Sequence, residues 1–560
     1  MSFLDKMSPR HMVLVCFILV ASLASLQAAP VKPVFKDHYH ASGQIRLPYA
    51  EIIEPFEIFF QGPKNRSRMD TYSGMDKVYF RGDEGDYGNL YKISPATLKG
   101  IPSLESCFLI PGEKGDPVMP QSMLPDLTGF TFLSGGLRNG QSVNLWQNKT
   151  TMTFFKHSRT STYTFAVTTT TPPRPVQYMM MGYDSLLGSH FDEYIIDYDF
   201  YDEATAISDD VFSIPKNLTC AGYPGPGVEP KIKSNPMKEM VNPEMGDRYH
   251  QLFDEYKQKY DKTYKTYMEH VQRKGHFTKN VRMIHSINRA NLGYVLDINH
   301  MADQTHQELK RMRGRLRQTR PNNGLPYDGS DISDDAVPDH INWNVLGAVS
   351  PVKDQAVCGS CWSFGSAETI EGAVFMQSGK RVRLSQQMLM DCTWAAGNNG
   401  CDGGEEWRVY EWLMKNGGIP LEETYGPYLG QNGMCHYGKS TPAAASIKKY
   451  YNVTSGNQKD LKKALATKGP IAVGIDAAVP SFSFYSYGTY YDASCGNTVD
   501  DLDHAVLAVG YGTDSSSQDY WLIKNSWSTH WGNNGYVAIS MKDNNCGVAT
   551  AATYVELEKN

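Results

Sequence analysis

The sequence predicts an α+β protein made of several successive folded parts, and three observations lead to that prediction. At 560 residues the chain is longer than a single hydrophobic core usually supports. Residues 30–225 contain short runs of β-branched and aromatic residues separated by Gly, Asp, Asn and Pro, which is typical of an antiparallel β domain. Residues 242–310 instead carry a helical spacing of selected side chains. The remaining residues, 337–560, form a further part with its own cysteines.

Composition and charge exclude some classes of partner. The formal net charge is −6 and the isoelectric point is near 6.2, so we expect no binding of nucleic acid. The hydrophobic content of 41% is ordinary for a globular protein. We predict no metal site and no cofactor, and we expect protein and peptide chains as the binding partners.

The N-terminus indicates a secretory route. Lys6 and Arg10 precede a short apolar run, and small residues follow up to Ala29, so residues 1–28 are predicted to be a signal peptide. The run is too short to span a membrane comfortably, and we expect no membrane span elsewhere in the chain. The destination would be the lysosome or the extracellular space. Four sequons are candidate glycosylation sites: Asn65, Asn148, Asn217 and Asn452.

The β domain, residues 30–225, shows no catalytic constellation. Its only cysteines are Cys107 and Cys220, which we expect to pair and to close a loop of more than a hundred residues. A Gly- and Pro-rich stretch over residues 222–227 is typical of a linker. The scattered histidines and carboxylates here are interpreted as surface residues.

The second part, residues 242–310, is predicted to contain one long helix. Six residues recur at intervals of three or four, which places them on one side of that helix: Glu269, Arg273, Phe277, Asn280, Ile284 and Asn288. Residues 311–336 follow, and they begin with a basic, Gly-punctuated stretch. We interpret them as an exposed processing linker, where proteolysis concentrates. A solvated run of charges without further role is the alternative.

Residues 355–362 are the candidate nucleophile segment. They read Gln-Ala-Val-Cys-Gly-Ser-Cys-Trp, and the nucleophile within such a segment is expected to have a His and an Asn downstream. His504 and Asn525 follow in that order. From residue 337 onward the number of cysteines is odd, so at least one thiol has no partner within this part: Cys358, Cys361, Cys392, Cys401, Cys435, Cys495 and Cys546.

These motifs resemble those of papain-family cysteine peptidases, and the helix motif resembles the propeptide of cathepsin L-like zymogens. The resemblance implies Cys361 as nucleophile, His504 as the base and acid, and Asn525 as the group that orients His504. It also implies an oxyanion site made by the Gln355 side chain and the Cys361 backbone N–H, with Trp527 shielding the Asn–His hydrogen bond. The implied fold has one helical lobe carrying Cys361 and one β-barrel-like lobe carrying His504 and Asn525.

The resemblance further implies three disulfides, Cys358–Cys401, Cys392–Cys435 and Cys495–Cys546. That pattern leaves Cys361 free. A buried thiol with no reactive role is the alternative for such a cysteine.

Substrate-binding residues are also implied by the resemblance. The backbone of Gly403 and Gly404 would pair with an extended substrate. Gly474, Leu502 and Ala551 would line the pocket for the second side chain upstream of the cut, which favours a bulky apolar side chain there. Glu406 follows the Gly pair, and two interpretations stay open: it admits basic side chains, or it points to solvent.

The order of the parts resembles the two-chain cysteine proteinases of insect haemocytes. In those proteins the cleaved N-terminal part stays associated as the smaller subunit, so the resemblance implies that the β domain is retained. The leading hypothesis is an endopeptidase made as a zymogen. The alternatives are a dipeptidyl-type exopeptidase whose β domain blocks the cleft, and a non-catalytic binding protein on a peptidase scaffold.

Overall fold

The computed structural model describes residues 30–98, 101–154, 157–223, 232–233, 235, 237–241, 249–318 and 321–559. The predicted signal peptide lies outside the described residues, and so does most of the predicted linker at residues 222–227.

The N-terminal part forms one large sheet. In the described residues its order is β12-β6-β5-β4-β3-β2-β1-β11-β10-β9-β8-β7, and every pair is antiparallel except β12 with β6. The strands are β1 (His38–Leu47), β2 (Ile52–Gln61), β3 (Arg66–Thr71), β4 (Asp76–Arg81), β5 (Asn89–Leu98), β6 (Ile101–Pro111), β7 (Thr131–Arg138), β8 (Gln141–Phe154), β9 (His157–Thr168), β10 (Pro175–Asp184), β11 (Ser189–Asp202) and β12 (Cys220–Gly222).

Alternation of side chains gives this sheet one buried face. Along β1 every second residue is buried, including Ala41 and Ile45, as expected for a half-solvated antiparallel strand. The register of β1 against β11 shifts at Gly43, where a Cβ atom would lie 1.9 Å from the Asp197 carbonyl oxygen. A disulfide between Cys107 and Cys220 joins β6 to β12, where the two residues are direct partners.

The region before the nucleophile segment is helical. Its helices are α1 (Lys238–Val241), α2 (Tyr249–Lys259), α3 (Tyr267–Ala290) and α4 (His306–Arg311). All six motif residues lie on α3, and Arg273 and Asn288 connect it to the segment that follows. Arg273 donates two hydrogen bonds to Glu308 of α4, at 2.6 and 2.7 Å, and Asn288 exchanges two with Leu296.

Helix α3 also contacts the large sheet through buried polar side chains. Arg289 donates two hydrogen bonds to Glu54 of β2, at 2.8 and 2.6 Å, and Ser286 donates a third to the same carboxylate. Close by, Lys92 of β5 donates to Asp76 of β4 at 2.8 Å. All of these side chains are buried. This buried network of charges therefore fixes the sheet to α3.

The C-terminal part combines helices with a second sheet. Its helices are α5 (Cys361–Ser378), α6 (Gln386–Cys392), α7 (Glu406–Asn416), α8 (Glu422–Tyr425) and α9 (Gln458–Lys468). The second sheet has the order β13-β18-β21-β20-β19-β17-β22-β16-β14, and β15 pairs with β19. Its strands are β13 (Tyr294–Leu296), β14 (Leu325–Pro326), β15 (Ile341–Asn342), β16 (Ile447–Asn452), β17 (Ile471–Ile475), β18 (Tyr485–Tyr490), β19 (His504–Thr513), β20 (Asp519–Lys524), β21 (Tyr536–Ser540) and β22 (Ala552–Leu557).

Both ends of this second sheet are supplied by residues that precede the nucleophile segment. Strand β13, directly after α3, pairs antiparallel with β18, and β14 pairs parallel with β16. Three disulfides join Cys358 to Cys401, Cys392 to Cys435 and Cys495 to Cys546, which is the pattern that the resemblance implies.

Candidate active site

Cys361 is the first residue of α5 and is fully buried. It is the free cysteine among the described residues, because the three disulfides around it use other sulfurs. A thiol at a helix N-terminus lies at the positive end of the helix dipole, which favours its ionised form.

His504 and Asn525 meet at the ends of two neighbouring strands. His504 begins β19 and Asn525 follows β20, and these strands are paired. His504 Nε2 and Asn525 Oδ1 are 2.8 Å apart. The ring of Trp527 covers this pair, with its centroid 4.7 Å from that of His504. The second ring nitrogen of His504, Nδ1, is buried and has no hydrogen-bond partner in the described part of the chain.

Gln355 is held by hydrogen bonds at both atoms of its amide. Ser526 Oγ donates to Gln355 Oε1 at 2.6 Å, which directs the NH₂ group away from Ser526. Gln355 Nε2 donates to the carbonyl oxygens of Cys358 and Met312, each at 2.7 Å. Met312 lies just after α4. The Gln355 amide N–H group is therefore already hydrogen-bonded to a carbonyl oxygen of the segment that follows α4.

The same segment continues across the cleft beside Cys361. The Gly314 N–H donates to Cys361 Sγ at 3.3 Å. Gly404 N–H donates to the Gly314 carbonyl, and the Leu316 N–H donates to the Gly404 carbonyl, each at 2.9 Å. These two bonds form a parallel bridge between Arg315 and Gly404. Residues 314–316 are therefore paired with Gly404 in an extended conformation, and residues 312–317 together form what we call the cleft segment.

Burial controls the protonation of the two central groups. Burial raises the pKa of the Cys361 thiol to about 12, although the hydrogen bonds from Ala505 and Gly314 oppose that shift. Burial lowers the pKa of His504 to about 4; the Asn525 hydrogen bond opposes this and the charge of Arg313 adds to it. In this covered state both groups are therefore neutral at ordinary pH.

Three arginines of the cleft segment face carboxylates. Arg313 Nε donates to Asp503 at 2.7 Å, and Arg317 pairs with Asp500 near the surface. Arg315 Nε lies 3.5 Å from Glu406 Oε1. The sequence leads us to expect an exposed linker over residues 311–336, but this is wrong for its first part, because Met312, Gly314 and Arg315 are buried.

Gly474, one of the predicted pocket residues, lies next to the Arg315 side chain, and the others adjoin its neighbours. A Cβ on Gly474 would lie 2.7 Å from Arg315 Nε, and a Cβ on Gly403 would lie 2.8 Å from the Gly314 carbonyl oxygen. Ala551 accepts a hydrogen bond from Gly474 N–H, and buried Leu502 directly precedes Asp503, whose carbonyl accepts from Arg315 N–H. Glu406 is buried in the precursor and does not point to solvent there.

The sequons differ in their surroundings. Asn217 is exposed, whereas Asn65 and Asn148 are half-buried. Asn452 Nδ2, the atom that a glycan would occupy, donates to Asn322 Oδ1 at 2.7 Å. A glycan on Asn452 would therefore displace a contact between β16 and the linker.

The interpretation of residues 311–336 as a linker missed that residues 312–317 lie in the site. Their signal is the alternation of Arg313, Gly314, Arg315, Leu316 and Arg317, since a period of two is typical of an extended strand.

Comparisons with known proteins show which family this chain is similar to. The family described as papain family cysteine protease matches residues 337–556, and the cathepsin propeptide inhibitor domain matches residues 253–309. A cathepsin L-like peptidase of Aedes aegypti is 43% identical over 269 residues, which are 47% of this chain and 78% of that protein. Procathepsin L of Mus musculus is 39% identical over 294 residues, covering 51% of this chain and 86% of that protein.

A solved structure gives the same result for the fold. The structure of digestive procathepsin L 3 from the larval midgut of Tenebrio molitor matches with a TM-score of 0.50 and 34% identity, covering 56% of this chain and all of that one. The match extends to a proform, in agreement with the propeptide match above. The chain belongs to the papain family of cysteine proteases, as a cathepsin L-like peptidase carrying its propeptide.

Proposed function

We propose that this protein is the zymogen of a cysteine endopeptidase in which Cys361, His504 and Asn525 form the catalytic triad. The observation that carries the proposal is the cleft segment: its Gly314 N–H contacts Cys361 Sγ while its Met312 carbonyl occupies the Gln355 amide. A segment that contacts both the nucleophile and the oxyanion donor blocks the site where a substrate carbonyl would react.

The chemistry follows from removal of that segment. Water then reaches Cys361 and His504, so the burial that keeps both neutral is relieved. The thiol proton passes to His504 Nδ1, and the thiolate attacks the carbonyl carbon of the substrate. The imidazolium returns its proton to the leaving amine, which departs as the acyl–enzyme forms. A water molecule then gives a proton to His504, adds to the acyl carbon and releases the carboxylic acid and the thiol.

The negative oxygen formed during this attack needs donors. We assign that role to Gln355 Nε2 and the Cys361 backbone N–H, since the amide already donates to a carbonyl at 2.7 Å in the precursor. Ser526 holds the amide in this orientation. The Trp527 ring keeps water away from the His504–Asn525 hydrogen bond.

The chain direction of the cleft segment explains why the enzyme does not cleave it. Its bridge to Gly404 is parallel, and it presents the Gly314 N–H to the sulfur. An N–H donor offers no electrophilic carbon to the thiolate, so the segment binds without being cut. We expect a substrate to run in the opposite direction.

The endopeptidase is favoured over a dipeptidyl-type exopeptidase by the position of the large sheet. In the described part of the chain, its polar contacts with later elements involve residues 233–289, including the Glu54–Arg289 pair, rather than the cleft. Hydrolysis of an end-blocked fluorogenic peptide by the acid-processed enzyme tests this. Cleavage only of peptides with a free N-terminus would establish the exopeptidase instead, and binding without any cleavage would establish the non-catalytic scaffold.

We also propose a secretory route to the lysosome or the extracellular space, with the sequons and the segment at residues 1–28 as support. Among the described residues, no helix has the length and apolar character needed to cross a membrane.

After cleavage the β domain is proposed to remain as a subunit. The contacts described above join it to α3, so once the propeptide leaves, retention must rest on other contacts with the peptidase part. Native size-exclusion chromatography of the processed protein tests this. A fully active peptidase that elutes at the mass of residues 337–560 alone would contradict retention.

A further inference from the structure

We propose that Glu406 makes the enzyme select arginine or lysine as the second residue upstream of the cut bond. This inference rests on the proposed function, because it assigns a substrate class to the same cleft. It replaces the expectation of a purely apolar preference in that pocket.

Glu406 has the position that such a role requires. It is the first residue of α7, two residues after the Gly404 that pairs with the cleft segment, and its side chain is 4% exposed. Its Oε1 atom is buried and has no hydrogen-bond partner in the described part of the chain. A buried carboxylate oxygen without a donor is costly unless a cation comes close to it. The pocket therefore holds an unsatisfied acceptor for a positive charge.

The precursor already places a cation there. Arg315 is 7% exposed, and its Nε lies 3.5 Å from Glu406 Oε1, an ion-pair distance longer than a hydrogen bond. The Arg315 backbone is fixed on both sides, by Gly404 and by the Asp503 carbonyl. This arginine therefore enters the pocket as an extended peptide would present it, although the chain direction is reversed.

The remaining walls suit a long basic side chain. Gly474 leaves room for the guanidinium, because a Cβ there would lie within 3.0 Å of Arg315 Cζ. The resemblance assigns Leu502 and Ala551 to this pocket as well, and such apolar residues suit the methylene stem of arginine or lysine.

The neighbouring acids are engaged elsewhere. Glu405 accepts a hydrogen bond from Arg408 at 2.7 Å, and Asp503 accepts one from Arg313 at 2.7 Å. One oxygen of Glu405 also lacks a hydrogen-bond partner, but it is Glu406 whose carboxylate lies within ion-pair distance of Arg315, so we assign Glu406 to the pocket.

The first test needs no variant. End-blocked fluorogenic peptides keep arginine before the cut and carry arginine, citrulline or leucine at the second upstream position. Citrulline matches the shape of arginine without its charge, so we expect kcat/KM of the processed enzyme to be about tenfold or more higher for arginine than for citrulline, as for loss of one partner of a buried charge pair. Equal values for arginine and citrulline would overturn the proposal.

The second test removes the charge on the enzyme instead of the charge on the substrate. Glu406→Gln should lower the ratio of kcat/KM for arginine over leucine about tenfold or more. The matched control Glu405→Gln, next to it in the chain, should keep that ratio. A ratio unchanged in Glu406→Gln refutes the inference. Cleavage of the leucine peptide with no cleavage of the arginine peptide also refutes it but leaves the proposed function intact, whereas no cleavage of any peptide rejects the proposed function itself.

Discussion

Replacing His300 by Gln should slow conversion of the precursor at acidic pH. His300 follows β13 in the propeptide, and its ring centroid lies 5.9 Å from that of His530 in the peptidase part. Burial lowers the pKa of His300 to about 4, and the charges of Lys262 and His530 act in the same direction, while Asp354 and Asp303 oppose it. Its Nδ1 atom is buried without a hydrogen-bond partner in the described part of the chain. The docked propeptide therefore holds this imidazole neutral.

The sign and size of the effect follow from linkage. In the released propeptide His300 has its ordinary pKa of 6.5. Between about pH 4 and pH 6.5 the released form therefore binds a proton at His300 that the docked form does not bind. Docking consequently weakens as the pH falls from about 6.5 towards about 4. About pH 5 is roughly 1.5 pH units below 6.5, and at about 1.4 kcal/mol per unit the docking free energy has then weakened by about 2 kcal/mol. Glutamine does not titrate, so the variant keeps that free energy and should convert roughly tenfold to thirtyfold more slowly.

The assay is the rate at which the mature-sized chain appears, measured on gels between about pH 4 and pH 7. Both precursors yield the same mature peptidase, because His300 is removed with the propeptide, so a difference in rate reports docking alone. His306→Gln is the matched control, since His306 is an exposed histidine at the start of α4. Superimposable pH profiles for wild type and His300→Gln would refute the reasoning.

Three further results are expected. Cys361→Ser should abolish turnover and leave the thermal midpoint unchanged, whereas Cys358→Ser should cost about 2–5 kcal/mol of stability through the loss of its disulfide; activity in the Cys361 variant would refute the triad. Gln355→Ala should lower kcat about a hundredfold to a thousandfold in single-substrate kinetics, and a change in KM alone would argue against the oxyanion role. Arg289→Met should destabilise the precursor by about 3 kcal/mol in a denaturant titration, because Glu54 stays buried without its cation; an unchanged midpoint would show that the pair does not hold the sheet to α3.

The roles of Cys361, His504, Asn525 and Gln355 are predicted from the resemblance of their motifs to those of papain-family peptidases, and they stay predictions. The structure brings His504 and Asn525 within 2.8 Å. The residues facing these groups could not be found in the same way. Arg315 reads as one basic residue in a charged run, and only the fold shows that Glu406, far along the chain, lies opposite it.

For the large sheet, too, the sequence predicts some features and not others. Short β-branched and aromatic runs predict that strands exist and that they are antiparallel, which holds for all pairs except β12 with β6. They do not predict that β1 lies beside β11, because such runs indicate strands but not their long-range partners. The attachment to α3 depends on Glu54 and Arg289, which the sequence presents as two unrelated charged residues.

Strands β13 and β14 close the two edges of the second sheet, and both precede the nucleophile segment. Their departure would leave backbone N–H and C=O groups of β18 and β16 without partners, and open edges of this kind invite pairing with other chains. Backbone amides of β18 and β16 that β13 and β14 now cover should then exchange faster with solvent. On maturation the second sheet would therefore lose its two edge strands. Hydrogen exchange along β18 would report the loss of the propeptide and exchange along β16 the loss of the linker, so the two events could be followed separately and without an activity assay.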